Sequence, residues 1–141
     1  MTLRCVDASF VVAWLVPSDG SAAVAEEWTA YAEGRDEFVA PPLLYPETIS
    51  VIRRMAHRKL LTEREAADLV ADFLELEIPT PLPRGLYQRA FDLATRYQQP
   101  KAYDACYLAM ADLLTCDLVT LDARLFSSVA GDFAGITLLR R

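Results

Sequence analysis

The chain has 141 residues, 53% of them hydrophobic, and a net charge of −6. That apolar share excludes a disordered chain and is enough for a real core, read as a single domain spanning 1–141. The acidic balance argues against a broad nucleic-acid-coating surface, and no apolar run is long enough to cross a membrane.

In chain order, Leu3–Val6 reads as a short buried strand ending at Asp7. Ser9 is placed to cap a helix through about Leu15, and Pro17, Ser18, Asp19 and Gly20 make a turn. A helix over Ala22–Ala32 and a short β run at Phe38–Ala40 follow. The next helix starts near Pro42 or Pro46 and runs to about Arg58, because proline is tolerated only in a first turn. Thr62 with Glu65 forms a capping box for a helix to about Leu76. Glu77–Thr80 is expected as an edge strand among Pro79, Pro81 and Pro83. Helices are expected over Arg84–Tyr97 and Ala102–Leu114. A strand over Asp117–Leu121 ends at Asp122, and a short helix at Ala123–Val129 and a strand at Ile136–Leu139 close the chain. Strands alternating with one or two helices predict an α/β fold with a mostly parallel sheet covered on both faces.

Cys5, Cys106 and Cys116 form no CxxC pair, which suits reduced thiols better than a disulfide frame or a zinc site. The single histidine, His57, makes a His-rich metal site or a Ser-His-Asp triad a poor expectation. With no signal peptide evident, the chain is expected in the cytoplasm.

Four acids stand where carboxylates are costly: Asp7, Glu47, Asp104 and Asp122. Asp7 and Asp122 end strands, and Glu47 and Asp104 open helices. In a parallel sheet these places share the carboxyl edge, where ligands bind. If the two strands are neighbours, all four crowd one crevice. An all-oxygen set of this kind favours Mg²⁺ or Mn²⁺ over zinc. Each acid also has a plainer reading. Asp7 suits a turn, Glu47 a helix dipole, and Asp122 an N-cap. Asp104 shares a face with Tyr107, Leu108 and Ala111, so leaving it unpaired is expensive. Asp112 and Asp117 are read as solvated or capping, and Asp19 and Asp36 as loop residues.

The patterns VDAS (6–9), LLYPETISVIRR (43–54), YDACYLAMA (103–111) and LVTLD (118–122) resemble PIN-domain proteins, specifically the VapC-type toxin ribonucleases of toxin–antitoxin pairs. The likeness spans nearly the whole chain and implies a PIN-like three-layer sandwich. It implies that Asp7, Glu47, Asp104 and Asp122 bind the metal and carry catalysis, with the Ser9 and Thr120 hydroxyls beside them. It also implies Mg²⁺- or Mn²⁺-dependent RNA cleavage, a homodimer, and a small antitoxin protein as partner. Two other functions remain open: a catalytically silent PIN-like binding scaffold, and a phosphatase using Asp7 as nucleophile. The phosphatase chemistry wants a second Asp where Ser9 stands.

Among basic residues, Lys101 and Arg124 flank site acids and are candidate phosphate contacts. Arg53, Arg54, His57, Arg58 and Lys59 form a run at a helix C-terminus, which the dipole and solubility favour, with an RNA backbone contact or a partner patch as the sharper alternative. Tyr45 and Tyr103 are positioned either to stack a base or to pack, and Trp14 and Trp28 are read as core.

Overall fold

The computed structural model describes residues 1–16 and 22–140. The turn expected at Pro17–Gly20, with Asp19 in it, lies outside the described residues.

Four parallel strands make the sheet: β1 (Thr2–Val6), β2 (Asp36–Val39), β3 (Asp117–Thr120) and β4 (Ile136–Leu138), in the order β2-β1-β3-β4. Seven helices are described: α1 (Ala8–Leu15), α2 (Ala22–Ala32), α3 (Leu44–His57), α4 (Glu63–Glu75), α5 (Leu86–Arg96), α6 (Tyr103–Leu113) and α7 (Ala123–Val129). Adjacent residues of a strand point to opposite faces, and β1 uses this to bind two helical layers. Arg4 reaches Glu27 on α2, while the Cys5 thiol donates to the Tyr107 carbonyl on α6. On the first face α1 gathers α2 and α3, with α4 against α3; on the second, α6 lies on β1 and β3 with α5 packed on it. The result is a PIN-like three-layer α/β sandwich whose sheet is parallel throughout.

The core follows from the apolar strands. Cys5, Val6, Leu118 and Val119 are buried, and Phe10 of α1 stacks on Trp28 of α2 with ring centroids 5.6 Å apart. Trp14, expected in the core, stacks on Trp28 but keeps one side in solvent. In α3 the buried residues Leu44, Thr48, Ile52 and Ala56 recur every four positions, so a single stripe faces inward.

Several boundaries move. α3 begins at Leu44, with Pro46 inside its first turn. The first α3 hydrogen bond is donated by the Glu47 amide to the Leu43 carbonyl at 3.0 Å, so Pro46 has no bond to lose. Glu77–Thr80 is not a strand. It passes beside the sheet as a strap, its Pro79 carbonyl accepting from the Ala40 amide and its Ile78 carbonyl from the Tyr45 hydroxyl. β3 stops at Thr120, because the Leu121 amide turns away to donate to the Ser9 hydroxyl. Asp36, expected in a loop, opens β2 and lies 3.6 Å from Arg4 Nε. Asp112 and Asp117 make ion pairs, Asp112 with Arg89 at 2.6 Å and Asp117 with Arg4 at 4.0 Å.

Candidate active site

The chain leaves β1 for β2 on one side and returns to β3 on the other, so strand order reverses between β1 and β3. Crevices form at the carboxyl ends of strands at such a reversal. The register sets Val6 beside Val119, which brings the following residues, Asp7 and Thr120, side by side.

Asp7 is 6% exposed and fully engaged. Its Oδ1 accepts from the Ser9 hydroxyl at 2.6 Å and from the Phe10 amide at 3.0 Å, and its Oδ2 accepts from the Thr120 hydroxyl at 2.5 Å. Asp7, not Ser9, is therefore the N-cap of α1; Ser9 lies inside the helix and serves the carboxylate. A hydroxyl has one proton to give, and both hydroxyls give it to Asp7. Each then accepts a backbone amide from the end of β3: Leu121 to Ser9 at 3.1 Å and Asp122 to Thr120 at 3.0 Å. This network fixes the orientation of Asp7 and leaves Oδ2 with capacity beyond its one bond from Thr120.

Asp122 caps α7, its Oδ1 accepting from the Arg124 and Leu125 amides. Glu47 projects from α3 and accepts the Tyr107 hydroxyl at 3.1 Å. Tyr107 is buried on α6, one helical turn beyond Asp104. Asp104 stands in the first turn of α6, more open to solvent than its apolar neighbours in sequence suggest. Glu47, Asp104 and Ser9 share a cleft of about 490 Å³ with Ser50, Val51 and Arg54.

The four carboxylates feel one another. Burial raises the carboxyl pKa of Asp7, and Asp122 adds to it against the lowering hydrogen bonds from Ser9, Thr120 and Phe10. Burial also raises Glu47, with Asp104 and Asp7 reinforcing, while the Tyr107 hydroxyl opposes. Asp104 is raised by burial and by Asp122. The four lie at one edge: Thr120 joins Asp7 to the Asp122 amide, and Ser9, bonded to Asp7, lines the cleft of Glu47 and Asp104. They do not form a ready-made cage: among the described residues, no group of three acidic, histidine or cysteine side chains is drawn together for a metal ion. Asp7, Glu47 and Asp122 each keep separate hydrogen-bond partners.

Tyr107 is the site residue given no role from the sequence, and Arg54 was weighed there only as one of a basic run that could meet an RNA backbone. Arg54 carried a signal, standing seven positions after Glu47 and so on the same helical face. Tyr107 carried none, since its partner is 60 residues away. Arg53 is held by Glu63 at 3.1 Å. Tyr45 packs on Phe73 and is spent on the Ile78 carbonyl, so it has no role in stacking a base. Tyr103 and Lys101 are exposed next to Asp104, and Arg124 is exposed in the first turn of α7.

A family model described as PIN domain matches residues 4–132. The chain belongs to the PIN-domain family. Its relatives within that family place this PIN domain in the VapC type. Ribonuclease VapC12 of Mycobacterium tuberculosis is 31% identical over 124 residues, covering 87% of this chain and 89% of that protein. Ribonuclease VapC9 of the same organism is 33% identical over 85 residues, 60% of this chain. The match spans 65% of the length of VapC9, and the same holds for VapC ribonuclease Mb0985 of Mycobacterium bovis. The crystal structure of PAE2754 from Pyrobaculum aerophilum superposes with a TM-score of 0.61 at 16% identity, over 92% of this chain and 87% of that one, a likeness of fold.

Proposed function

We propose that this PIN domain is a divalent-metal-dependent endoribonuclease that hydrolyses RNA phosphodiester bonds and acts as the toxin of a toxin–antitoxin pair. The observation that carries the reading is placement at the strand-order reversal: Thr120 ties Asp7 to the Asp122 amide, and Ser9, bonded to Asp7, shares a cleft with Glu47 and Asp104. The names of the VapC relatives support the RNA substrate and the pairing with an antitoxin.

The donor set fits a hard divalent cation. It is all oxygen, and Cys106 lines the neighbouring cleft, not the one that Glu47 and Asp104 share. Asp7, Glu47, Asp104 and Asp122 would hold Mg²⁺ or Mn²⁺. Such ions supply charge neutralisation at the phosphate and a lowered pKa for attacking water. Ser9 and Thr120 fix both oxygens of Asp7, and Tyr107 fixes Glu47, so the acids keep their aim when repulsion is relieved. Arg54 has no ion-pair partner among the described residues and faces the same cleft, where it would take a phosphate oxygen of the bound strand.

The second copy expected in a homodimer and the antitoxin belong to the same proposal and rest on the VapC likeness. Cleavage of single-stranded RNA with Mn²⁺ or Mg²⁺, compared with EDTA and with Asp7→Asn, tests the reading. Activity should vanish in both controls; equal activity in all conditions sinks it.

A further inference from the structure

An apolar cleft of about 710 Å³ lies at the N-terminal ends of α3 and α6. Pro41, Pro46, Tyr87, Lys101, Tyr103 and Cys106 line it. Its lining borders the site along the chain: Pro46 precedes Glu47 on α3 and Tyr103 precedes Asp104 on α6. Tyr87 and Tyr103 are each 60% exposed, leaving ring faces open to solvent. No hydrogen bond or ring contact among the described residues engages either ring.

Lys101 adds the second observation. It stands just before the N-terminal end of α6, where the helix dipole repels a cation. It has no ion-pair partner among the described residues, in a chain of net charge −6. Neither helix stability nor salt bridging explains it there. A phosphate in the cleft would give that charge a partner.

From this geometry we infer that the cleft is a base-binding subsite for the single-stranded RNA substrate. One nucleobase next to the scissile phosphate stacks on Tyr103, with Tyr87 walling the cleft, while Lys101 contacts its phosphate. The inference rests on the ribonuclease reading and names how the strand is held. Stacking on a ring needs no base-specific hydrogen bonds, so the subsite tolerates any base and favours unpaired RNA over duplex.

The test separates binding from cleavage. A short fluorescein-labelled oligoadenylate and its tetrahydrofuran-abasic analogue, equal in charge, are titrated by anisotropy against the full chain in EDTA. Wild type should bind the oligoadenylate more tightly than the abasic strand. Tyr103→Ala should weaken oligoadenylate binding about tenfold, the scale of one base–aromatic stack. The same change should leave abasic binding unmoved, and Tyr103→Phe should behave as wild type. Lys101→Gln should weaken both strands alike. Equal losses on both strands for Tyr103→Ala, or none on either, overturn the subsite. So does a change in sedimentation without a base-dependent loss, which would assign the cleft to a protein contact. Cleavage in Mn²⁺ is scored separately. Cleavage with no base-dependent effect removes the subsite alone, and absence of cleavage with any divalent ion removes the nuclease reading.

Discussion

The Thr120 hydroxyl donates to Asp7 Oδ2 at 2.5 Å across the ends of neighbouring strands, 113 residues apart in the chain. The same oxygen accepts the Asp122 amide, so one hydroxyl ties together two of the site acids. Thr120→Val keeps the shape and removes both bonds. We predict a loss of about 1–3 kcal/mol in denaturant stability, because a buried carboxylate and an amide are left short of partners. Losing a donor that lowers the Asp7 pKa should also move the acid limb of the pH–rate profile to higher pH. Thr120→Ser should restore both. An unshifted pH profile in Thr120→Val would reduce Thr120 to a packing residue.

The raised carboxyls of Asp7, Glu47 and Asp104 make stability depend on pH with a definite sign. Their folded pKa values lie above the unfolded ones. Their stabilising contribution is therefore fully present below the ordinary carboxylate range, about pH 4, and is lost as pH rises through the raised values. In chelator at neutral pH all three oppose folding. Glu47→Gln keeps an acceptor for the Tyr107 hydroxyl and removes one repelling charge. Its melting temperature in EDTA at neutral pH should rise by a few degrees, about 1 kcal/mol or less after solvent screening, while RNA cleavage is lost. Added Mn²⁺ should stabilise wild type by about 2.7 kcal/mol at a hundredfold excess over Kd, and Glu47→Gln by less. A fall in the EDTA melting temperature of Glu47→Gln would contradict the repulsion argument.

Tyr107 acts on the site only through Glu47, which makes it a positioning residue. Burial and the Glu47 charge raise its phenol far above neutral pH, so it stays a hydrogen-bond donor over the working range. Tyr107→Phe should cost about 1 kcal/mol and lower kcat/KM about tenfold, the scale for partners that orient metal ligands. Without this donor the Glu47 carboxyl should rise further, so the acid limb shifts up in pH. A purely structural role would lower Tm and leave that limb in place.

How much of this was legible depends on the range of the interactions. The capping box of α4 is local, and the sequence pattern Thr62–Glu65 predicted it at the right residue. Asp7 and Asp122 were legible as strand-end acids, because an apolar run followed by Asp is a local pattern. The role of Ser9 was not. As sequence it reads as an N-cap, and only the neighbouring β3 shows that it carries the Leu121 amide and Asp7 instead. Glu77–Thr80 has the composition of an edge strand. Whether an extended segment joins a sheet is decided by remote partners, here Ala40 and Tyr45, which take its carbonyls one by one. The pairing of Tyr107 with Glu47 and the freedom of Arg54 next to a tethered Arg53 are facts of packing with no trace in spacing alone.

The contrast between those two arginines is itself a test. Arg53 is tied to Glu63 at the surface, a pair worth about 0–1 kcal/mol. Arg54 points into the cleft of Glu47 and Asp104. Arg54→Ala should weaken single-stranded RNA binding and lower the slope of log K against log salt by about 0.7, one phosphate contact on a single strand. Arg53→Ala should change neither by a measurable amount. Identical salt slopes for wild type and Arg54→Ala would remove Arg54 from the RNA path.

The last prediction concerns backbone strain away from the site. α3, α4, α5 and α6 are each followed by a non-glycine residue at positive φ: Lys59, Glu77, Gln98 and Thr115. These close the helix ends, as when the Cys116 amide donates to the Ala111 carbonyl at 2.9 Å beyond Thr115. Three of the four are unbranched at Cβ. Thr115, at φ 52°, is β-branched and the most strained of the set. Its side chain is exposed at the amino end of β3, opposite the carboxylates. Thr115→Asn suits the left-handed region better and should stabilise the protein by about 1 kcal/mol, read as a higher urea midpoint at unchanged m-value. Thr115→Gly should gain less than the strain it relieves, because its unfolded chain has more freedom to lose. RNA cleavage should be the same in all three proteins. A lower midpoint for Thr115→Asn would mean that the threonine methyl packs against α6 strongly enough to outweigh the strained turn.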